Sequence, residues 1–230
     1  MDLLTDAVAT LDARGVLEPL AELIRQVYRR AAERHEPDLG DDAMSFGTTV
    51  WRNLTNLGAA RFAGRSGLDA RIEDNSLEIL AGGYILRLYS LQGGIDTSVE
   101  SIRWEGSDAR LGGAVENSAD RQLALDDEEQ FPEVFSGLVP RKRHLRIAHA
   151  GDIDTGEAVA YLGLPRDNRT GGSPWFEVRL WFGEPARALA GARRTGASAD
   201  GAPRHDELPI PELDLQLLGR PAGPRSITSA

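Results

Sequence analysis

The chain has 230 residues, of which 41% are hydrophobic and 27% charged, enough for one sizeable folded domain with its own core. It contains no cysteine, which excludes disulfides and thiolate metal sites, and its net charge of −10 argues against nucleic-acid binding, because that requires a positive surface. No apolar run is long enough to span a membrane and the first residues lack the positive charge of a signal peptide, so we expect a cytoplasmic protein.

Three amphipathic helices are predicted in the first part of the chain, because apolar residues recur there at helical spacing. Gly15 marks the end of the first helix, and Asp41 or Asp42 is predicted to cap the start of the third. Residues 1–64 are therefore expected to form a helical layer. The three predicted helices cover 3–14, 17–34 and 43–62.

From residue 69 the apolar period changes to two, which is typical of strands. The pattern predicts an α+β domain, in which the helical layer packs on one face of a mostly antiparallel sheet of about five to seven strands within 65–183. A parallel sheet would need helices between its strands, and the pattern indicates none after residue 64. The predicted strands lie in the segments RIED, SLEIL, YILRLYSL, SVESIRWEG, HLRIAHA, EAVAYLGL and PWFEVRLWF.

Two segments have no clear period. Residues 105–138 are acidic, punctuated by glycine and only locally apolar, and are predicted to be a long excursion with a short strand or a turn of helix. Residues 184–230 are rich in proline, glycine and alanine, a composition that predicts a flexible tail. Within this tail, 208–218 is apolar enough to be a candidate docking segment.

The stretch GDIDTGEAVAYLGLP, 151–165, gathers several carboxylates between two predicted strands. The simplest interpretation is a polar turn, in which Asp152 and Asp154 bond to their own backbone. The alternative is a divalent-metal hydrolase, with a phosphoester as one candidate substrate, in which the carboxylates hold Mg²⁺ or Mn²⁺ and a histidine acts as base. The candidate catalytic residues are Asp152, Asp154, Glu157 and His149, and the candidate metal ligands are Asp152, Asp154 and Glu177.

The segment PWFEVRLWF is the most regular strand pattern in the chain. Alternation places Phe176, Val178, Leu180 and Phe182 on a core face. The opposite face would carry Trp175, Glu177, Arg179 and Trp181, and two tryptophans on one face predict that this face is covered. The cover is expected to be the tail, the 105–138 excursion, a ligand or another protein.

These patterns lead to two functional predictions. The first is a non-catalytic binding or regulatory module without a cofactor, which uses Trp175, Glu177, Arg179 and Trp181 to hold a protein partner or a second copy of itself. The second is the Mg²⁺- or Mn²⁺-dependent hydrolase. Sequence signatures of serine hydrolases, P-loop enzymes, dinucleotide-binding enzymes and zinc proteases are absent.

Overall fold

The protein is an α+β domain in which helices pack on a mostly antiparallel six-stranded sheet, as the sequence predicts. The computed structural model describes residues 3–128 and 143–184, with the backbone alone for 122–128, so the candidate docking segment 208–218 and nearly all of the predicted tail lie outside the described residues. The helices are α1 (Leu3–Ala13), α2 (Leu17–Ala32), α3 (Ala43–Phe62) and α4 (Asp108–Glu128). The strands are β1 (Leu68–Glu73), β2 (Ser76–Ala81), β3 (Tyr84–Ser90), β4 (Arg143–Gly151), β5 (Ala158–Pro165) and β6 (Trp175–Phe182).

The N-terminal helices form where the apolar stripes predict them. Gly15 adopts a positive φ of 64° after α1, which is the backbone conformation that glycine favours at a helix end. Asp42 caps α3, since its side chain accepts the Ser45 N–H at 2.8 Å and its own N–H donates to Ser45 Oγ at 3.0 Å. This reciprocal pair satisfies backbone donors that the first turn of a helix leaves open.

Two tight hairpins build the first half of the sheet. Residues Asp74 and Asn75 join β1 to β2, and Gly82 and Gly83 join β2 to β3, all four with positive φ. Two-residue turns of this kind match the twist of antiparallel strands. The turn predicted around GDIDTG likewise joins two antiparallel strands, β4 and β5.

The middle of the sheet differs from the prediction. Strands β3 and β4 pair in parallel, and α4 makes the crossover between them. The expectation that no helix follows residue 64 was therefore wrong. The segment 105–138, predicted as a long excursion with a short strand or a turn of helix, instead contains the whole of α4, and its residues 129–138 lie outside the described residues. Glycines at 112 and 113 and the polar residues around them hide the helical period, so packing against the sheet, rather than propensity, accounts for this helix.

The sheet consequently separates two cores, where the sequence predicted helices on one face only. On one face, α1, α2 and α3 cover the larger core, which includes Leu20, Ile24 and Ile147. On the other face, α4 and the turns before it cover a smaller core around Trp104 and Trp175. Both faces of the central strands are therefore buried, as is usual where a helix crosses between parallel strands.

The segment SVESIRWEG, predicted as a strand, instead forms two 3₁₀ turns at Val99–Ser101 and Trp104–Gly106. Ser98 begins the first turn by accepting the Glu100 N–H at 3.2 Å. The Trp104 indole is fully buried and donates to the Pro174 carbonyl at 2.9 Å. The strand prediction for this segment was therefore wrong. Its apolar residues alternate with polar ones because the two turns direct them into the smaller core.

Strand β6 is present as predicted, but its alternation is interrupted twice. On β5, Leu164 lies opposite Glu177 and the next residue, Pro165, lies opposite Trp175, so Phe176 has no partner of its own. In the same way, Ala160 lies opposite Phe182 and Tyr161 lies opposite Leu180, so Trp181 has no partner of its own. An extra residue shifts the side-chain alternation by one position. The prediction that Trp175, Glu177, Arg179 and Trp181 share one face was therefore wrong.

Two glycines of α3 give opposite expectations when replaced by alanine. A Cβ at Gly47 meets nothing within 4 Å, so Gly47→Ala should raise the free energy of unfolding by about 0.5–1 kcal/mol through helix propensity alone. A Cβ at Gly58 would overlap the buried Leu77 side chain, so Gly58→Ala should lower it by about 1 kcal/mol or more. Denaturant unfolding of both variants measures the difference, and equal shifts would contradict the close approach of α3 to β2.

Candidate functional site

The acidic stretch that the sequence singles out forms a hydrogen-bonded turn. Asp152 Oδ1 accepts the N–H groups of Asp154 at 3.0 Å and Thr155 at 2.8 Å, and its own N–H donates to the Glu157 carbonyl at 2.8 Å. The side chains of Asp154 and Glu157 are exposed. The turn interpretation of this stretch thus agrees with the structure.

His149 lies on β4 and faces the helical layer rather than the acidic turn. Its Nδ1 lies 2.9 Å from the Tyr28 hydroxyl of α2, and both side chains are buried. Burial lowers the pKa of His149 to about 4 and raises the pKa of Tyr28. The imidazole is therefore neutral near pH 7 and holds a structural hydrogen bond between β4 and α2.

Glu177 lies at the far end of the β5–β6 pair from the acidic turn. It is opposite Leu164, six residues along β5 from Ala158, a separation of roughly 20 Å at about 3.3 Å per residue. Its carboxylate accepts the Leu4 N–H at 3.0 Å, in the first turn of α1, where a negative charge is favourable. Within 3–128 and 143–184, no group of three or more His, Asp or Glu side chains is placed to hold a metal ion.

The aromatic residues of β6 are divided between the two cores. Trp175 is buried in the smaller core and donates its indole N–H to the Val99 carbonyl at 3.0 Å. Trp181 packs against the larger core beside Phe182, and Arg179 is exposed. Trp175 is therefore covered from within the chain, by Val99, by Trp104 and by the smaller core to which Ala114 of α4 also belongs.

A large cavity lies at the C-terminal ends of β3 and β4, and we call it the end cavity. Its volume is about 970 Å³. Ser90, the last residue of β3, and its partner His149 on β4 line the cavity. Residues of α3 form one wall, and Ser107, Ala109 and Arg110 at the start of α4 form another. In sheets with parallel strands, ligands commonly bind in the crevice beyond the carboxyl ends of those strands.

The α3 wall of the end cavity is apolar. Val50 and Leu54 are buried behind it, while Met44 is 78% exposed and Trp51 is 42% exposed. Large apolar side chains left open along a concave surface mark a binding site more often than scattered apolar residues do.

Three arginines also line the end cavity, and we call them its basic side. They are Arg87, Arg110 and Arg146, and they share the lining with Asp74, Asp96 and Asp152. Arg87 and Arg146 are directly paired across β3 and β4. Arg146 is 2% exposed, and burial, together with the charge of Arg87, lowers its pKa to about 10. Since Arg146 stays charged near pH 7, the domain holds a buried positive charge beside an open cavity.

Arg146 lies in line with two other arginines across the sheet, Arg87 on β3 and Arg71 on β1, and the charges of both are neutralised. Glu78 on β2 accepts from Arg71 at 2.8 Å and from Arg87 at 2.7 Å. Burial opposes ionisation of Glu78, but the hydrogen bonds and charges of Arg87 and Arg71 outweigh it and hold its pKa below the usual value. Arg87 also contacts Asp74 at 3.2 Å. Of these three aligned arginines, Arg146 is the one that has no hydrogen bond to Glu78 among the described residues.

Sequence reasoning missed the basic side of the end cavity. The signal was present, since Arg87 and Arg146 each stand between two leucine or isoleucine residues in LRL and LRI, where strand alternation turns them away from the larger core. No helix was predicted on the face of the sheet away from the larger core, so the sequence pattern alone would place both arginines facing solvent. The crossover helix α4 changes that interpretation, because it buries Arg146.

No protein family, curated protein or solved structure matches this chain, so the cavity is interpreted from its own geometry. Among the helices that the structure describes, none combines the length and apolar character that crossing a bilayer requires.

Proposed function

We propose that the protein is a non-catalytic binding module whose ligand is a small molecule with an apolar body and a polar end, held in the end cavity. The observation that carries the proposal is the cavity itself, about 970 Å³ in volume, with one apolar and one basic side. Ligand pockets usually measure roughly 300–1,000 Å³ and combine apolar walls with a few polar groups that fix orientation.

The acidic turn and His149 support a binding role more than a hydrolytic one. Three of the groups already have a structural partner, since Asp152 holds its own turn, His149 bonds to Tyr28, and Glu177 bonds to the start of α1. The other two, Asp154 and Glu157, are exposed on the turn. A metal-dependent hydrolase needs carboxylates that converge on one ion. The hydrolase with Mg²⁺ or Mn²⁺ is therefore the weaker proposal.

Association with a protein partner or a second copy of the chain stays a prediction from the sequence. The residues of β6 that bear on it are Leu180, which is 46% exposed, and Trp181, which is half-buried. The two bulges in β6 make strand addition at this edge less favourable, because bulges disrupt a regular ladder. A cytoplasmic location is part of the same proposal and fits the absence of cysteine.

Binding of the neutral fluorescent probe N-phenylnaphthylamine to the full chain tests the proposed function. The probe should become fluorescent in the presence of the protein, and Gly47→Trp should weaken its binding about tenfold or more, because the new side chain would occupy the α3 wall.

The matched control is Gly112→Trp, which adds the same side chain to a helical glycine with open space that does not line the end cavity. Probe binding should be unchanged in this variant. If the probe does not bind the wild-type chain, or if both variants weaken it equally, the end cavity is not the binding site.

A further inference from the structure

Among the described residues, one arginine beside the smaller core has no carboxylate paired with it. Arg146 is 2% exposed, and within that part of the chain its guanidinium donates to two backbone carbonyls, of Leu145 at 3.2 Å and Ala109 at 3.3 Å. A guanidinium has five N–H groups, so three remain without an acceptor within 3–128 and 143–184. A buried charge of this kind is costly unless it is paired.

The nearby carboxylates do not supply the missing pair. Glu78 is 4% exposed and is shared between Arg71 and Arg87, and Glu116 is 2.7 Å from His144 Nε2. Of the acids that line the end cavity, Asp74 contacts Arg87 and Asp152 holds its own turn. The remaining one, Asp96, is exposed.

A second arginine reaches the same space from α4. Arg110 lies with its guanidinium 4.8 Å from the centre of the Tyr89 ring, which holds it flat against the sheet. Among the described residues it has no carboxylate within ion-pair distance, and it lines the end cavity together with Arg146. Ser107 and Ala109, at the start of α4, line the cavity beside it, and a helix start also favours a negative charge.

We propose that Arg146 and Arg110 form an anion subsite in the end cavity, where they bind the carboxylate or phosphate group of the ligand. The inference rests on the proposed function and names the polar end of the ligand. Guanidinium groups match the planar oxygens of both anions through paired hydrogen bonds. The apolar body of the ligand then extends along α3 towards Trp51 and Met44, which gives the ligand class: amphipathic organic anions.

Displacement of N-phenylnaphthylamine from the full chain by three probes with the same ten-carbon chain tests the subsite. The probes are undecanoate, decyl phosphate and decanol, which carry a carboxylate, a phosphate and no charge. At least one anion should displace the dye at about a tenfold lower concentration than decanol, since each hydrogen bond to a charged group adds selectivity. The anion with the larger advantage identifies which group the subsite prefers.

Arg146→Met and Arg110→Gln should each remove most of the anion advantage, measured in each variant as the ratio of the decanol concentration to the anion concentration that displaces half of the dye. If Arg146→Met does not fold, Arg110→Gln alone decides, because Arg110 is only half-buried. The matched control is Arg121→Gln, on the same helix and also stacked on an aromatic ring, that of Phe176, but outside the end cavity. The control should keep the full advantage.

The possible failures are distinguishable. Equal displacement by decanol and both anions in the wild-type chain would overturn the subsite and leave the proposed binding function standing. An anion advantage that persists in Arg146→Met and Arg110→Gln would also overturn it. Absence of dye binding, or of displacement by all three probes, would overturn the proposed function together with the subsite.

Discussion

Replacing Trp104 with alanine is expected to lower the free energy of unfolding by about 3–5 kcal/mol. The side chain is fully buried, and its ring packs edge to face against Tyr89 at 5.3 Å and Trp175 at 5.0 Å between centroids. Its indole N–H also bonds to the Pro174 carbonyl, which would lose that donor. Chemical denaturation monitored by circular dichroism measures the loss.

The matched control for Trp104 is Trp51→Ala, at a tryptophan that is 42% exposed on the wall of the end cavity. Trp51→Ala should lower the free energy of unfolding by about 1 kcal/mol or less. A similar loss in both variants would contradict the second core on the α4 face, because burial in that core is what makes Trp104 more stabilising than Trp51.

Acid is expected to destabilise the protein through His149. Burial lowers its folded pKa to about 4, whereas the unfolded chain binds the proton near the ordinary value of 6.5. The unfolded state therefore takes up more protons between these values, and the stability that neutral His149 contributes is complete above about pH 6.5 and is lost as the pH falls towards 4. The loss amounts to about 3 kcal/mol across that window.

Comparison with His149→Gln isolates this contribution from the carboxylates that titrate in the same range. The variant should show a flatter fall in unfolding free energy between pH 6.5 and 4, since glutamine does not titrate. The same slope in the wild-type chain and His149→Gln would show that the histidine is not buried as a neutral group.

The larger core was predictable because its elements carry regular periods. The stripes of α1, α2 and α3 and the alternation of β2 to β5 place residues such as Ile24, Val50 and Ile147 where the structure buries them. The hairpin at Gly82 and Gly83 follows from local turn chemistry. Each of these features depends on a few neighbouring residues, so a single sequence contains enough information to place it.

The smaller core and the end cavity depend on contacts between distant segments. Trp104 reaches Pro174 and Arg146 reaches Ala109, and neither contact leaves a period in the sequence. The bulges at Phe176 and Trp181 shift the β6 face in a way that strict alternation does not anticipate. The basic side of the cavity was therefore missed, because a crossover helix with a weak period covers it.

A crystal structure of the full chain with 10-bromodecanoate tests the central claim most directly, because the anomalous signal of bromine locates the apolar end independently of the carboxylate. We expect one molecule in the end cavity, with its carboxylate within about 3 Å of N–H groups of Arg146 or Arg110 and its bromine beside Trp51. A ligand bound elsewhere, or one whose carboxylate points to solvent with the arginines unoccupied, would contradict it.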